Sequence, residues 1–294
     1  MSLYDSILIT GAGGMLGRAL TDQLRERQLR PAALSRAQLN LADGLAIANA
    51  FNDVKPTLVL NCGAHTKVDL CEQESQSADS INGHALRQMA DLCKGHGAFL
   101  VQVSTDFVFD GTSRRPYRTD DPVHPLSAYG RSKLLGEQLI QQSGLSDWLI
   151  VRTAWVYGRG GANFPRTMVT AARAGKPLSV IDDQIGSPTY TVDLADAILT
   201  LLDKRSRGLF HFTNSGQTSW RDFAVAALAE FGLNHPVASL TSEQWRQMKP
   251  ASAIRPAYSV LDTEPYIAAT GQQPRPWPQA LRDFRAAVQT HGWD

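Results

Sequence analysis

The segment Ile9–Leu20, ITGAGGMLGRAL, joins a short apolar run to the start of an amphipathic one. Its glycines Gly11, Gly14 and Gly17 stand at three-residue spacing. Glycines in such a turn let the chain bend sharply, let backbone N–H groups approach a pyrophosphate and let the next helix pack closely on the strand. The bare pattern also fits a turn that serves geometry alone. Its position directly after the first apolar run favours a dinucleotide-binding turn.

Beyond this turn, short apolar runs alternate with longer amphipathic ones. The apolar runs, predicted to be strands, are SILIT (6–10), PAALS (31–35), PTLVLNCG (56–63) and AFLVQVST (98–105). The runs between them predict helices over residues 17–28, from the N-cap Asp43 onward, and over residues 85–97. This alternation is typical of βαβ units in a parallel sheet. The predicted fold class is therefore α/β, a Rossmann-type doubly wound parallel sheet with a smaller C-terminal substrate-binding domain.

Composition argues against several classes of partner. The chain has 294 residues, 43% of them hydrophobic and 19% charged, with a formal net charge of +1. This balance is that of a globular protein and provides no bulk attraction to nucleic acid or to an anionic membrane. The first residues, MSLYDSILIT, lack the pattern of a secretory signal, so a cytoplasmic protein is expected. Cys62, Cys71 and Cys93 have no metal-site spacing and are expected to be reduced structural thiols.

The end of the second predicted strand indicates which dinucleotide binds. An acidic residue there would bind a ribose 2′-hydroxyl, whereas an arginine suits a 2′-phosphate. The sequence has Arg36 and no acid before Asp43. We therefore expect NADPH, with NADH and a merely solvated Arg36 as the alternatives, and Asn40 and Leu41 are expected to flank the adenine.

The second half of the chain mixes short strands and helices. Residues 109–125 are predicted to form a long loop, a helix is predicted from Ser127, and DWLIVRTAWVYG (147–158) is predicted to be one strand. Glu137 and Gln138 on that helix are expected to face solvent. We assign residues 1–155 to an NADP-binding Rossmann domain, to which residues 188–205 or so return. Residues 156–294 are assigned mainly to substrate binding.

Candidate catalytic residues are Tyr129, Lys133 and Thr105. A tyrosine is a useful general acid when its proton, which titrates near pH 10 in water, is labile, and a lysine one helical turn away would lower its pKa. The spacing alone also occurs by chance on helices. Thr105 ends a predicted buried strand, and strand ends line the ligand crevice of a doubly wound sheet. Its hydroxyl is therefore expected to reach the same carbonyl that Tyr129 protonates.

Several motifs in this order resemble one family. They are AHTKVDLCE (64–72), STDFVFDG (104–111), PLSAYGRSKLLGE (125–137), VRTAWVYGRGGANF (151–164), VIDDQIGSPT (180–189) and RPAYSVLDT (255–263). Together they span nearly the whole chain. The sequence resembles the extended short-chain dehydrogenase/reductase superfamily and, within it, the dTDP-4-dehydrorhamnose reductase family.

The resemblance implies roles for individual residues. Tyr129 would donate the proton, Lys133 would hold the nicotinamide ribose, and Thr105 would contact the sugar. The other residues implied to bind the nucleotide sugar are Asp106, Trp155, Asn163, Gln184 and Arg255. The residues implied to line the cofactor are Gly11, Met15, Leu16, Asn40, Leu41, Ala64 and His65. The resemblance leaves a divalent metal such as Mg²⁺ open, but His65 has no second ligand at a metal-site spacing, and we expect no metal site.

The implied reaction is the NADPH-dependent reduction of the C4 ketone of a nucleotide-linked 6-deoxyhexose. The expected substrate is dTDP-4-dehydro-L-rhamnose, reduced to dTDP-L-rhamnose for cell-surface polysaccharide such as the O-antigen of lipopolysaccharide. Phe107 stands where related dehydratases carry an acid, which argues against dehydration. The alternatives are another nucleotide-sugar 4-reductase, a 4-epimerase, or a non-catalytic NADP-binding regulatory subunit. The expected partner is the nucleotide sugar, and a homodimer is one assembly that the chain allows.

Overall fold

The computed structural model describes residues 4–294, in which strands and helices alternate along the first half of the chain. The strands are β1 Ile7–Thr10, β2 Ala32–Leu34, β3 Leu58–Asn61, β4 Phe99–Thr105, β5 Trp148–Thr153, β6 Val156–Tyr157, β7 Leu178–Ile181, β8 Ile185–Gly186, β9 Thr189–Tyr190, β10 Gly208–His211, β11 Thr218–Ser219 and β12 Val237–Leu240. The α-helices are α1 Met15–Glu26, α2 Gly44–Val54, α3 Val68–Gln73, α4 Ser75–Asp79, α5 Ala85–His96, α6 Ala128–Gln141, α7 Phe164–Arg173, α8 Thr191–Asp203, α9 Trp220–Glu230, α10 Ser242–Met248, α11 Glu264–Thr270 and α12 Trp277–His291. A π-helix spans Ser80–His84 and a 3₁₀-helix spans Asp106–Val108.

The main sheet confirms the α/β prediction. It has six parallel strands in the order β10-β5-β4-β3-β1-β2. All residues of β1 and β3 are buried, as expected for central strands that are covered on both faces. Because β2 lies on one side of β1 and β3 on the other, the strand order reverses beside β1. Ligands bind outside the carboxyl ends of the strands at such a reversal.

The local signals read from the sequence also hold in the structure. Asp43 is the N-cap of α2, and its carboxylate accepts hydrogen bonds from the backbone N–H groups of Leu45 and Ala46 at 2.9 and 3.1 Å. α5 ends at Gly97, which has a φ of 64°. A side-chain acceptor at the first N–H groups and a left-handed glycine after the last turn stabilise the two ends of a helix.

The prediction of a single strand over residues 147–158 was wrong. β5 ends at Thr153, and Trp155 has a φ of 49°, which turns the chain out of the main sheet. The chain resumes as β6, which pairs with β9 rather than with the main sheet. The apolar pattern runs through this bend because both halves are largely buried, so hydrophobicity alone did not reveal it.

Most of the chain after β5 forms a smaller layer beside the carboxyl ends of the main sheet. It contains the short pairs β6–β9, β7–β12 and β8–β11, together with an aromatic core around Tyr157, Phe223 and Phe284. Two later elements return to the first domain: α8 packs on α1, and β10 forms the sixth strand of the main sheet. Among residues 4–294, no helix has both the length and the apolar character needed to cross a bilayer.

Candidate active site

A cleft of about 840 Å³ lies between the carboxyl ends of the main-sheet strands and the smaller layer. Its walls contain all the residues predicted to contact the cofactor: Gly11, Gly14, Met15, Leu16, Gly17, Arg36, Asn40, Leu41, Ala64, His65, Tyr129 and Lys133. They also contain Thr105, Asp106, Trp155 and Arg255, which were predicted to contact the sugar. A volume of this size is typical of a small-molecule site.

The glycine turn sits where the strand order reverses. Gly11 has a φ of 63°, and a Cβ there would lie 2.6 Å from the backbone N of Gly63 and 2.7 Å from the carbonyl carbon of Cys62. A Cβ on Gly17 would lie 2.5 Å from the carbonyl O of Gly11. Gly14 is the N-cap of α1, so the unpaired first-turn N–H groups of this helix face the cleft. This tight cradle fits the pyrophosphate of a dinucleotide.

Arg36 follows β2 and is exposed on the cleft wall, beside Ser35. The Ser35 hydroxyl donates a 2.8 Å hydrogen bond to the side-chain oxygen of Gln38, which fixes the turn that carries Arg36. A free guanidinium at the end of the second strand suits a 2′-phosphate.

Tyr129 lies in the first turn of α6, where Ser127 caps the helix by accepting a hydrogen bond from the Gly130 N–H at 3.1 Å. Burial raises the pKa of the Tyr129 phenol above its ordinary value, although a hydrogen bond with Thr105 opposes the rise. The lowering expected from Lys133 was wrong: the charges that act on the phenol are those of Asp106 and Cys71, and both raise its pKa further. A phenol that keeps its proton at neutral pH is suited to donate it to a strongly basic alkoxide.

Lys133 is buried one helical turn beyond Tyr129. Its Nζ donates a 2.6 Å hydrogen bond to the carbonyl O of Val103 on β4. Burial lowers the pKa of Lys133 to about 8, while the negative charge of Glu137 opposes that change. The amine is thus held in the cleft wall, with N–H groups left to donate to a ligand.

Asp106 is a buried carboxyl at the end of β4, where its Oδ1 accepts a 3.0 Å hydrogen bond from the Thr105 hydroxyl. Burial raises the pKa of Asp106 to about 6, although hydrogen bonds oppose the rise. The protonated acid therefore contributes stability below about pH 4, and that contribution is lost as the pH rises through about 6.

We expect Asp106→Asn to be more stable than the native protein at neutral pH, by on the order of 3 kcal/mol at most, because it removes a buried charge. At about pH 4 the difference should disappear, since the native carboxyl is then protonated. Urea unfolding at the two pH values measures this. An equal stability difference at both values would contradict the prediction.

Asn82 connects the segment around His65 to α6 and was missed by sequence reasoning. It is buried in the π-helix, and its amide accepts from the His65 N–H at 2.8 Å and donates to the His65 carbonyl at 3.0 Å. It also donates to the Ser132 hydroxyl at 3.0 Å, which donates in turn to the carbonyl of Tyr129 at 2.8 Å. π-helical turns are frequent at functional sites. The pair Asn82–Gly83 inside a helical run was the signal that could have revealed it.

The sugar side of the cleft has an aromatic wall. Trp155 stacks on Trp220, with ring centroids 3.6 Å apart and planes 9° apart, and Phe164 lies 4.7 Å from Trp220. A Cβ on Gly186 would come within 2.7 Å of the Trp155 ring, so only glycine fits there. Trp220 was not predicted, because it begins a helix far along the chain and no spacing connects it to Trp155.

Arg255 reaches across the mouth of the cleft to α3. Its Nη2 donates to Oδ1 of Asp69 at 2.9 Å, and the same oxygen accepts from the Ala253 N–H at 3.0 Å. Asp69 thus holds the segment that carries Arg255 against the cofactor domain.

Asn163 and Gln184 are not among the residues that line the cleft. Asn163 is the N-cap of α7 and donates to the carbonyl O of Gly158 at 2.7 Å. Gln184 is buried, and its Nε2 donates to the Ser242 hydroxyl at 2.9 Å. Both are bonded within the protein, and their contact with substrate stays a prediction.

His65 has two protein partners rather than a metal geometry. Its Nδ1 lies 3.0 Å from the Cys71 Sγ, and its Nε2 lies 3.0 Å from Oε2 of Glu74. In the described part of the chain, no group of three or more His, Cys, Asp or Glu side chains is arranged to hold a metal ion. All three cysteines are free thiols.

Comparisons with known proteins agree with this geometry. The family described as RmlD substrate binding domain matches residues 5–290. The spore coat polysaccharide biosynthesis protein SpsK of Bacillus subtilis is 43% identical over 278 residues, covering 95% of this chain and 96% of that protein. A dTDP-4-dehydrorhamnose reductase of Streptomyces griseus is 39% identical over 290 residues, covering 96% and 93%. The crystal structure of dTDP-4-dehydrorhamnose reductase from Bacillus anthracis in complex with NADP superposes with a TM-score of 0.90 at 32% identity, covering 96% and 99%.

The doubly wound sheet and the pairing of a dinucleotide turn with a tyrosine and a lysine in one cleft define an oxidoreductase of the extended short-chain dehydrogenase/reductase class. Within that class the match extends over almost the entire length of both chains. The chain belongs to the dTDP-4-dehydrorhamnose reductase family.

Proposed function

We propose that this protein reduces the C4 ketone of dTDP-4-dehydro-L-rhamnose to give dTDP-L-rhamnose, with NADPH as the reductant. The observation that supports this most directly is the position of Tyr129, which is half-buried and lines the same cleft as the glycine turn and Thr105. The reductase relatives and the NADP-bound neighbour support the same substrate and cofactor.

The chemistry follows from the side chains in the cleft. NADPH, when bound, would supply a hydride to C4 of the sugar, and the carbonyl oxygen would then need a proton. Tyr129 gives its phenolic proton to that oxygen, so the alkoxide leaves as an alcohol and the phenolate regains a proton from solvent. Thr105 orients the carbonyl, and Lys133 donates to the nicotinamide ribose.

The remaining assignments belong to the same proposal. The turn with Gly11, Gly14, Met15, Leu16 and Gly17 holds the pyrophosphate. Residues 1–155, with the returning α8 and β10, form the cofactor domain, and most of the later chain binds the nucleotide sugar. We place the reaction in the cytoplasm, where NADPH and nucleotide sugars are supplied. A homodimer remains a prediction that sedimentation of the purified protein would test.

A panel of 4-keto nucleotide sugars tests the proposed function. The purified protein should oxidise NADPH fastest with dTDP-4-dehydro-L-rhamnose, and NMR of the product should show the rhamno configuration at C4. Fastest turnover with another sugar would identify a different 4-reductase. Interconversion of C4 epimers without net NADPH oxidation would indicate an epimerase. NADP binding without turnover of any sugar would identify a regulatory subunit.

Arg36→Ala is expected to weaken NADPH binding roughly tenfold or more, because a charge-assisted contact to the 2′-phosphate is lost. NADH lacks that phosphate, so its affinity should hardly change. Titrations with both dinucleotides measure the ratio. Arg30→Ala, an exposed arginine outside the cleft, is the matched control and should leave both affinities unchanged. Equal weakening of NADPH and NADH by Arg36→Ala would contradict this role.

A further inference from the structure

A buried ion pair lies beneath the catalytic helix. Glu137, expected to face solvent, was predicted wrongly: its side chain is 2% exposed, and that of its partner Arg152 on β5 is 4% exposed. The Nε of Arg152 donates to Oε1 of Glu137 at 2.9 Å, and its Nη2 donates to Oε2 at 2.7 Å. This bidentate ion pair holds α6 against β5.

Glu137 also stands one helical turn after Lys133, so the carboxylate and the amine lie on the same side of α6. Lys133 is itself buried and is tied to the Val103 carbonyl on β4. Burial disfavours the charged form of an amine, whereas a nearby carboxylate favours it. The groups whose charges act on Lys133 are Glu137 and, at the end of β3, Cys62.

The residues around Arg152 add no second positive charge to the ion pair. His211 on β10 lies 3.5 Å from Nη1 of Arg152, and burial, with the Arg152 charge, lowers the pKa of His211 to about 3. His211 is therefore neutral, although the more distant Asp121 opposes the shift. The face of the guanidinium is covered by the ring of Phe109, 5.2 Å away. His211 therefore adds no charge to the Glu137–Arg152 pair.

We propose that Glu137 is a positioning residue that keeps Lys133 charged inside the fold, and that Arg152 locks the carboxylate in place. The inference deepens the proposed function, because it concerns the amine that would hold the nicotinamide ribose. Glu137 touches neither substrate nor cofactor in this role. Removing its charge takes away the carboxylate that favours the charged amine, so Lys133 loses its proton at a lower pH.

The test is an NMR titration of Lys133 in the cofactor-free protein, labelled with carbon-13 lysine. The Lys133 signal is identified by its loss in Lys133→Met. In Glu137→Gln the titration midpoint should fall by about one pH unit or more, because the carboxylate that favours the charged amine is lost. In the double variant Glu137→Gln/Arg152→Met the midpoint should fall in the same way, because the same carboxylate is lost while no buried cation is left unpaired. The alkaline limb of the kcat profile should follow the same order.

Asp193→Asn is the matched control, since it breaks another ion pair, Arg275–Asp193, outside the cleft. The titration midpoint of Lys133 in the Asp193→Asn variant should equal that in the native protein. An unchanged midpoint in folded Glu137→Gln would overturn the proposal and leave the pair a purely structural one. If Glu137→Gln does not fold, the double variant, which leaves no unpaired buried charge, answers the same question: a lowered midpoint supports the proposal and an unchanged or raised one overturns it. The titration needs no sugar substrate, so its result is valid even if the substrate panel rejects the proposed reaction. Failure of the titration would overturn the role of Glu137, whereas failure of the panel would overturn the proposed reaction.

Discussion

Tyr129→Phe is expected to lower kcat for ketone reduction by roughly 10²–10⁴-fold, because the alkoxide then has no positioned proton donor. The substitution removes one oxygen atom and keeps the ring, which packs edge-on to Phe107 with centroids 5.5 Å apart. The fold and the cofactor cradle should therefore stay intact. Steady-state kinetics, together with NADPH titration, would separate the lost chemical step from a lost binding site.

Tyr157→Phe is the matched control. Tyr157 is fully buried and lies outside the cleft, and its hydroxyl has no hydrogen-bond partner in the described part of the chain. Removing that hydroxyl should leave kcat unchanged and should not destabilise the protein, since a buried unpaired polar group is unfavourable. If Tyr129→Phe kept most of its activity while NADPH still bound, another group would be the proton donor.

Gly11→Ala should abolish measurable NADPH binding. A side chain at this positive φ costs about 1 kcal/mol on its own. The new Cβ would also overlap the backbone of Cys62 and Gly63, at 2.6–2.7 Å, and backbone cannot move aside as a flexible side chain can. The turn must therefore shift away from β3, which moves the N–H groups that would hold the pyrophosphate. Calorimetric titration with NADPH measures the loss.

Gly97→Ala separates backbone strain from this crowding. Gly97 has almost the same φ, 64° against 63°, but a Cβ there would meet no atom within 4 Å. The variant should lose only about 1 kcal/mol of unfolding free energy and should bind NADPH normally. Equal loss of binding in both variants would mean that backbone strain, and not the close approach to β3, is the decisive feature.

The sequence predicted the cofactor half well because its signals are local. The glycine turn, the Asp43 cap, the left-handed Gly97 and the alternating runs depend on neighbours within a few residues. A doubly wound sheet then brings its strand ends together by rule. Thr105 was therefore expected to line the same ligand crevice as the cofactor turn, although the two are far apart in the chain.

Other features depend on contacts between distant segments, which no local pattern contains. Glu137 has the spacing of a surface residue on α6, and only β5 supplies the arginine that makes its burial tolerable. Trp155 was expected in a continuous strand, but its left-handed backbone, its stack on Trp220 and its contact with Gly186 arise from three separate segments.

By itself, the sequence determined the fold class, the position of the dinucleotide turn and the tyrosine–lysine pair, because each is encoded by residues close together in the chain or by a repeating hydrophobic period. Only the tertiary structure decided which buried charges are paired, how Asn82 couples His65 to the catalytic helix, and that Trp220 joins the sugar wall. These depend on which side chains meet after the strands and helices pack, and the free energy of a buried polar group is set by the partner that it meets there.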